Sequence, residues 1–135
     1  MRRSIQRFVP ERAGNACEYC QMSRALYDTE FQIDHIISRQ HGGRTVIGNL
    51  AFSCLRCNVH KGPNVAGIDP VSGRLAPLFN PRRQRWERHF RWRGSRAVGL
   101  TATGRATIIV LAMNDPVAVR IRAELIREGL FLPRK

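Results

Sequence analysis

The sequence predicts an α+β fold, a small finger followed by a hairpin-plus-helices extension, and three observations carry that reading. Two Cys-x-x-Cys pairs, Cys17/Cys20 and Cys54/Cys57, are separated by 33 residues, so one short segment is held between two knuckles. That segment and its flank read as strand, loop, strand and helix. Beyond Pro63 the pattern changes to turn formers, one hairpin signal and two helical stretches.

Along the chain, residues 1–16 read as a basic arm running into a short helix around 10–13, stopped by Gly14-Asn15. Phe31-Gln32-Ile33 is β-prone and delivers Asp34 and His35 at its end. Residues 40–44 form a loop around Gly42-Gly43, and 49–53 is a second short extended segment. A short helix begins near Cys54, carries Asn58, His60 and Lys61, and stops at Gly62-Pro63. Residues 68–73 are dense in turn formers. Asn80-Pro81 is a cap with proline at the first helical position, which predicts a short helix from Pro81. Segments 89–92 and 97–100 flank Gly94-Ser95 as a hairpin. Thr103 is expected to cap a helix through Met113, and Asp115-Pro116 opens another that ends at Gly129. In this last helix Val117, Ile121 and Leu125 recur every four residues and are expected to face the core, with Arg120, Arg127 and Glu128 in water.

At 135 residues the chain is expected to form one domain over 1–135, a finger at 13–64 followed by an extension at 65–135. Its formal net charge is +13, from 23 Lys+Arg against 10 Asp+Glu, and every basic residue except Lys61 and Lys135 is arginine. The planar guanidinium suits bidentate phosphate contacts, so this balance points to nucleic acid. Residues 1–7 start like a signal sequence, but Arg7, Glu11 and Arg12 interrupt any apolar continuation. The longest apolar run, 108–113, is too short to span a bilayer. These features predict a cytoplasmic protein without membrane association.

In a reducing compartment, four cysteines at paired spacing favour a metal over disulfides. A two-residue gap lets both sulfurs of a knuckle point at one ion. Cys17, Cys20, Cys54 and Cys57 together would close a tetrahedral Zn2+ site, structural because no position is left for water or substrate.

Between and after the knuckles lie the residues suited to chemistry. Asp34 and Asn58 offer hard oxygen donors for Mg2+ or a similar ion. His35 can accept a proton from water near neutral pH. Asn49 can hydrogen-bond the intervening loop and orient the imidazole. This set, framed by the knuckles, resembles the HNH family of ββα-metal (His-Me finger) nucleases, in the subgroup with two Cys-x-x-Cys knuckles. The resemblance spans residues 13–64. It implies a zinc-stabilised ββα-metal finger and an endonuclease that hydrolyses phosphodiester bonds in nucleic acid, DNA foremost, leaving 5′-phosphate and 3′-hydroxyl ends. On that likeness His35 is the general base, Asn49 supports it, and Asp34 and Asn58 hold a catalytic Mg2+ or Mn2+. The chain is then an H-N-N variant, with His60 competing for the third motif position and Lys61 beside the phosphate or leaving group.

From Arg82 to Arg96 there are seven arginines, interleaved with Trp86, Phe90 and Trp92. Arg82, Arg83, Arg85, Arg88, Arg91 and Arg93 are expected to neutralise phosphates. The aromatics are expected in the core, because that half of the chain has few other large side chains. A non-catalytic, zinc-stabilised nucleic-acid adaptor is the alternative reading. A zinc deaminase would need a His-x-Glu and a Pro-Cys-x-x-Cys; His35 is followed by Ile36-Ile37, and neither knuckle follows a proline. No partner protein is called for.

Overall fold

The computed structural model describes residues 1–27 and 29–131. Strands β1 (Phe31–His35) and β2 (Leu50–Cys54) pair antiparallel, in a register running from Phe31↔Cys54 to His35↔Leu50. Helix α2 (Leu55–Lys61) follows β2 without a loop, because Cys54 keeps an extended backbone and caps the helix. Its sulfur accepts the Cys57 N–H at 3.5 Å, and the first knuckle repeats the device between Cys20 N–H and Cys17 Sγ. The strand–strand–helix finger expected from the sequence is present.

All five residues of β2 are buried. Alternation sends Leu50 and Phe52 to one face, where Val9 and Ala13 pack on them, and Ala51 to the other, among the cysteines. The cover on the first face is α1 (Arg3–Arg12). This helix is longer than the short 10–13 segment expected, since Ile5 and Val9, four apart, give the basic arm an apolar stripe. The outer edge of β2 is also closed. Glu18 N–H donates to Phe52 O and the Glu18 carboxylate accepts the Phe52 N–H, both at 2.8 Å. Arg12 donates to the carbonyls of Leu50 at 2.6 Å and Ile47 at 2.8 Å. Pairing groups that would otherwise invite another strand are thereby satisfied.

In the extension, β3 (Ala66–Ile68) and β4 (Leu75–Pro77) flank the turn-rich stretch as a hairpin. The helix expected from Pro81 does not form. Asn80 does cap a turn, its Oδ1 accepting the Arg82 N–H at 2.9 Å, but Arg85 is extended and α3 (Trp86–His89) starts after it. The break lets Trp86 enter the core, where its Nε1–H donates to Tyr19 O at 2.8 Å. The second expected hairpin is β5 (Phe90–Arg93) with β6 (Arg96–Gly99). Helix α4 (Ala102–Val110) is capped by Thr101, whose Oγ1 accepts the Gly104 N–H, and not by Thr103, which is buried inside it. Gly104 is obligatory at this contact: an added Cβ would lie 2.0 Å from His89 O.

Helix α5 (Pro116–Arg127) opens on Asp115 and Pro116 as expected. Its inward face differs from the expected one: Val117 is exposed, Ile121 and Leu125 are half-buried, and Ala118 and Arg122 are buried. The reason is Arg122, which donates to Met113 O at 2.6 Å and Ser95 O at 2.8 Å. Its guanidinium lies 4.9 Å from the Trp92 ring centre. Trp86 and Phe90 belong to the core cluster that also holds the four cysteines, and Trp92 packs on it half-buried. The expectation that the aromatics are core is met.

Candidate active site and metal centre

The four cysteine sulfurs lie within 4.8 Å of one another, and all four residues are buried and free of disulfides. Cys20 Sγ and Cys54 Sγ, on opposite knuckles, are 3.8 Å apart. A tetrahedron with metal–sulfur bonds of about 2.3 Å has sulfur–sulfur edges of about 3.8 Å, so the donor set fits structural zinc.

Asp34 is buried at 6 % exposure near the end of β1. Its Oδ2 accepts the Tyr19 hydroxyl at 3.0 Å and lies 3.2 Å from Lys61 Nζ. Burial pushes the Asp34 carboxyl above its ordinary value, and the Lys61 charge and the Tyr19 hydroxyl pull against that rise. Tyr19 is driven well above its ordinary value, by burial and then by Asp34, so it remains a hydrogen-bond donor. Lys61 also donates to His35 O at 3.3 Å and Ile36 O at 3.1 Å. An ammonium has three protons, and Lys61 Nζ is surrounded by three acceptors, the two carbonyls it donates to and the carboxylate it pairs with. The expectation that Lys61 contacts nucleic acid is therefore corrected: at 2 % exposure it is an interior cation that holds the end of β1.

His35, the next residue, is half-buried, and its Nε2 lies 2.8 Å from Thr45 Oγ1. Among the described residues no protein group hydrogen-bonds its Nδ1. Thr45 belongs to the 36–48 loop, which Asn49 staples. Asn49 Oδ1 accepts the Ile37 N–H at 3.0 Å, while Nδ2 donates to Ile37 O at 3.0 Å and Arg44 O at 2.9 Å. Asn49 thus binds the loop as expected, and reaches His35 through that loop, not by touching the ring. The staple requires Gly43, where a Cβ would lie 1.7 Å from Ile37 O.

Residues 17–64 match the sequence family described as HNH endonuclease, a little over a third of the chain. They are an HNH endonuclease domain. No curated protein and no solved structure matches the chain.

Within the HNH domain, Asn58 is half-buried on α2, three residues before Lys61 and on the same helical face. Its side chain has no hydrogen-bond partner among the described residues. His60 is exposed, about 200° around the helix from Asn58. Outside the domain, Arg82 is not a free surface arginine. It pairs with Glu18 and reaches Leu50 O at 3.4 Å, with its side chain only 15 % exposed, which corrects its expected phosphate contact. Arg83, Arg85, Arg88, Arg91 and Arg93 are exposed and join no ion pair among the described residues. Among the described residues no helix is long and apolar enough to cross a membrane. Sequence reasoning passed over Tyr19 and Thr45; Tyr19, placed between two cysteine ligands, carried a positional signal, whereas Thr45 did not.

Proposed function

We propose that this chain is a metal-dependent endonuclease that hydrolyses phosphodiester bonds in DNA, with His35 as general base. One observation carries the reading. Consecutive residues at the end of β1 present a pinned, buried carboxylate and an imidazole whose Nδ1 is free. With Thr45 accepting from Nε2–H, the imidazole keeps its lone pair on Nδ1. Nδ1 then takes a proton from the water that attacks phosphorus, and the P–O3′ bond breaks, the departing oxygen taking a proton from solvent to leave a 5′-phosphate and a 3′-hydroxyl.

Asp34 and Asn58 would hold Mg2+ or Mn2+. Asp34 Oδ1 and the Asn58 side chain, which bond no group among the described residues, are the oxygen donors left for such an ion, with water completing its shell. Such an ion supplies charge neutralisation at the scissile phosphate. The face of α2 that carries Lys61 to Asp34 also carries Asn58, which favours Asn58 over His60 as the third motif residue. His60, in solvent, remains available to the departing strand. We assign Zn2+ to the four cysteines, where it holds the finger without reacting. Arg83, Arg85, Arg88, Arg91 and Arg93 neutralise backbone phosphates. The core that finger and extension share supports reading residues 1–135 as one working unit, and a cytoplasmic location belongs to the same proposal.

Incubation with supercoiled plasmid in Mg2+ or Mn2+, beside a chelated control, tests the reading. Wild type is expected to nick or linearise it. His35→Ala is expected to lower the rate at least about 100-fold with zinc content and DNA binding unchanged. Undiminished cleavage by His35→Ala overturns the base assignment. Binding without cleavage by wild type makes the chain an adaptor.

A further inference from the structure

We infer that Tyr19 and Lys61 are positioning residues that select which oxygen of Asp34 faces the reaction, and that Tyr19 ties this selection to the four-cysteine centre. The inference rests on the reading of Asp34 as the metal-binding carboxylate of a nuclease.

Both donors converge on one atom. Tyr19 OH at 3.0 Å and Lys61 Nζ at 3.2 Å take Oδ2, and among the described residues no group bonds Oδ1. Two fixed donors at one carboxylate oxygen remove the freedom to rotate, so Oδ1 is presented alone. Neither donor can drift, because Tyr19 is 1 % exposed and Lys61 2 %. The same ammonium grips the carbonyls of His35 and Ile36, so the carboxylate and the backbone of the neighbouring base are held by one group. Tyr19 lies between Cys17 and Cys20, and its carbonyl accepts Trp86 Nε1–H at 2.8 Å. Its hydroxyl is therefore aimed by the metal knuckle in front and by the extension behind.

Packing alone does not explain this arrangement. Apolar side chains of similar volume generally stabilise a core as well as a buried ion pair does, or better. A buried ammonium and a buried hydroxyl converging on one oxygen of a buried carboxylate is instead how a reactive ligand is oriented by the groups behind it.

The full-length chain with Tyr19→Phe, which removes one oxygen atom, tests the inference with Mn2+ as the probe. Three quantities are read: zinc per chain, Mn2+ affinity from the spin resonance of the free ion, and the Mn2+ dependence of plasmid cleavage. Asp34→Ala sets the level at which specific Mn2+ binding is lost. Tyr19→Phe is expected to keep its zinc, bind Mn2+ about tenfold more weakly, and recover much of its rate at high Mn2+. Unchanged Mn2+ affinity and dependence would show Tyr19 to be a packing residue and overturn the inference. If Tyr19→Phe sheds zinc, Lys61→Met is read the same way, and wild-type Mn2+ affinity in it overturns the inference. Wild type that binds Mn2+ through Asp34 but cuts nothing overturns the nuclease reading while leaving the positioning intact. Wild type that neither binds Mn2+ nor cuts overturns both.

Discussion

Asn49 bonds the loop beside His35, the proposed general base, without touching its ring. It exchanges hydrogen bonds with both backbone groups of Ile37 and reaches across to Arg44 O, which fixes the loop that carries Thr45 to His35. Replacing it by alanine releases these loop groups near the surface, where water can take them. The expected loss of stability is therefore modest, about 1–2 kcal/mol. Cleavage is expected to fall much further, by about 10–100-fold, because the imidazole loses its Thr45 partner. Thermal denaturation beside plasmid cleavage measures the two, and parallel losses would reduce Asn49 to a stability residue. The four-cysteine cluster was legible because its chemistry is bound to its spacing, and the Asp34-His35 pair of the proposed site was read from spacing in the same way. Lys61 was not, since a lysine near a helix end reads as surface, and only the fold brings Asp34 and two carbonyls around its ammonium.

At the scale of elements, the finger was legible and the joints of the extension were not. Strands β1 and β2 and helix α2 fall where alternation and the second knuckle place them, because local sequence decides each of them. The β3–β4 hairpin has strands of only three residues, too short for a periodic signal, and it is held by a distant partner. In its turn, Asp69 accepts the Val71 and Ser72 N–H groups, and Arg105 of α4 forks onto it, Nε to Oδ1 at 2.8 Å and Nη2 to Oδ2 at 3.0 Å. Arg105 holds the Asp69 carboxyl well below the usual carboxylate range. With the folded value depressed, the unfolded chain binds the proton more readily. The pair's stabilisation is thus full above a pH of about 4 and is lost as pH falls below it. Asp69→Asn is expected to be less stable than wild type at pH 7, with the gap closing below pH ~4. The difference between the two unfolding curves is the quantity to follow, since cysteine thiolates also take up protons in acid. A gap independent of pH would show that the turn hydrogen bonds, and not the ion pair, hold the hairpin to α4.

For the whole molecule, the decisive fact is that finger and extension share one core. Cys17, Cys20, Cys54 and Cys57 cluster with Phe79, Trp86, Phe90, Leu111 and Met113, so the metal knuckles are a wall of the interior and not a separate bead. That join was only half legible. Large aromatics in a basic run had to be buried somewhere, but the bonds from Trp86 to Tyr19 O and from Trp92 to Gln21 Oε1 link residues 67 and 71 positions apart. Four thiolates at this spacing would repel one another strongly without a cation, and metal binding to such sites is coupled to folding. Removing zinc should therefore unfold more than the finger. With a strong chelator at neutral pH, helical circular dichroism and the fluorescence of the two tryptophans are expected to be lost in one coincident transition, and to return together when zinc is restored. The sensitivity is high because Trp86 stacks on Trp92 at 5.6 Å and packs on Phe90 at 5.0 Å, so any opening of the wall changes its surroundings. If α4 and α5 kept their helical signal after the tryptophan signal had collapsed, the extension would be an independently folding unit. The coupling of Tyr19 to Trp86 would then be local to the knuckle.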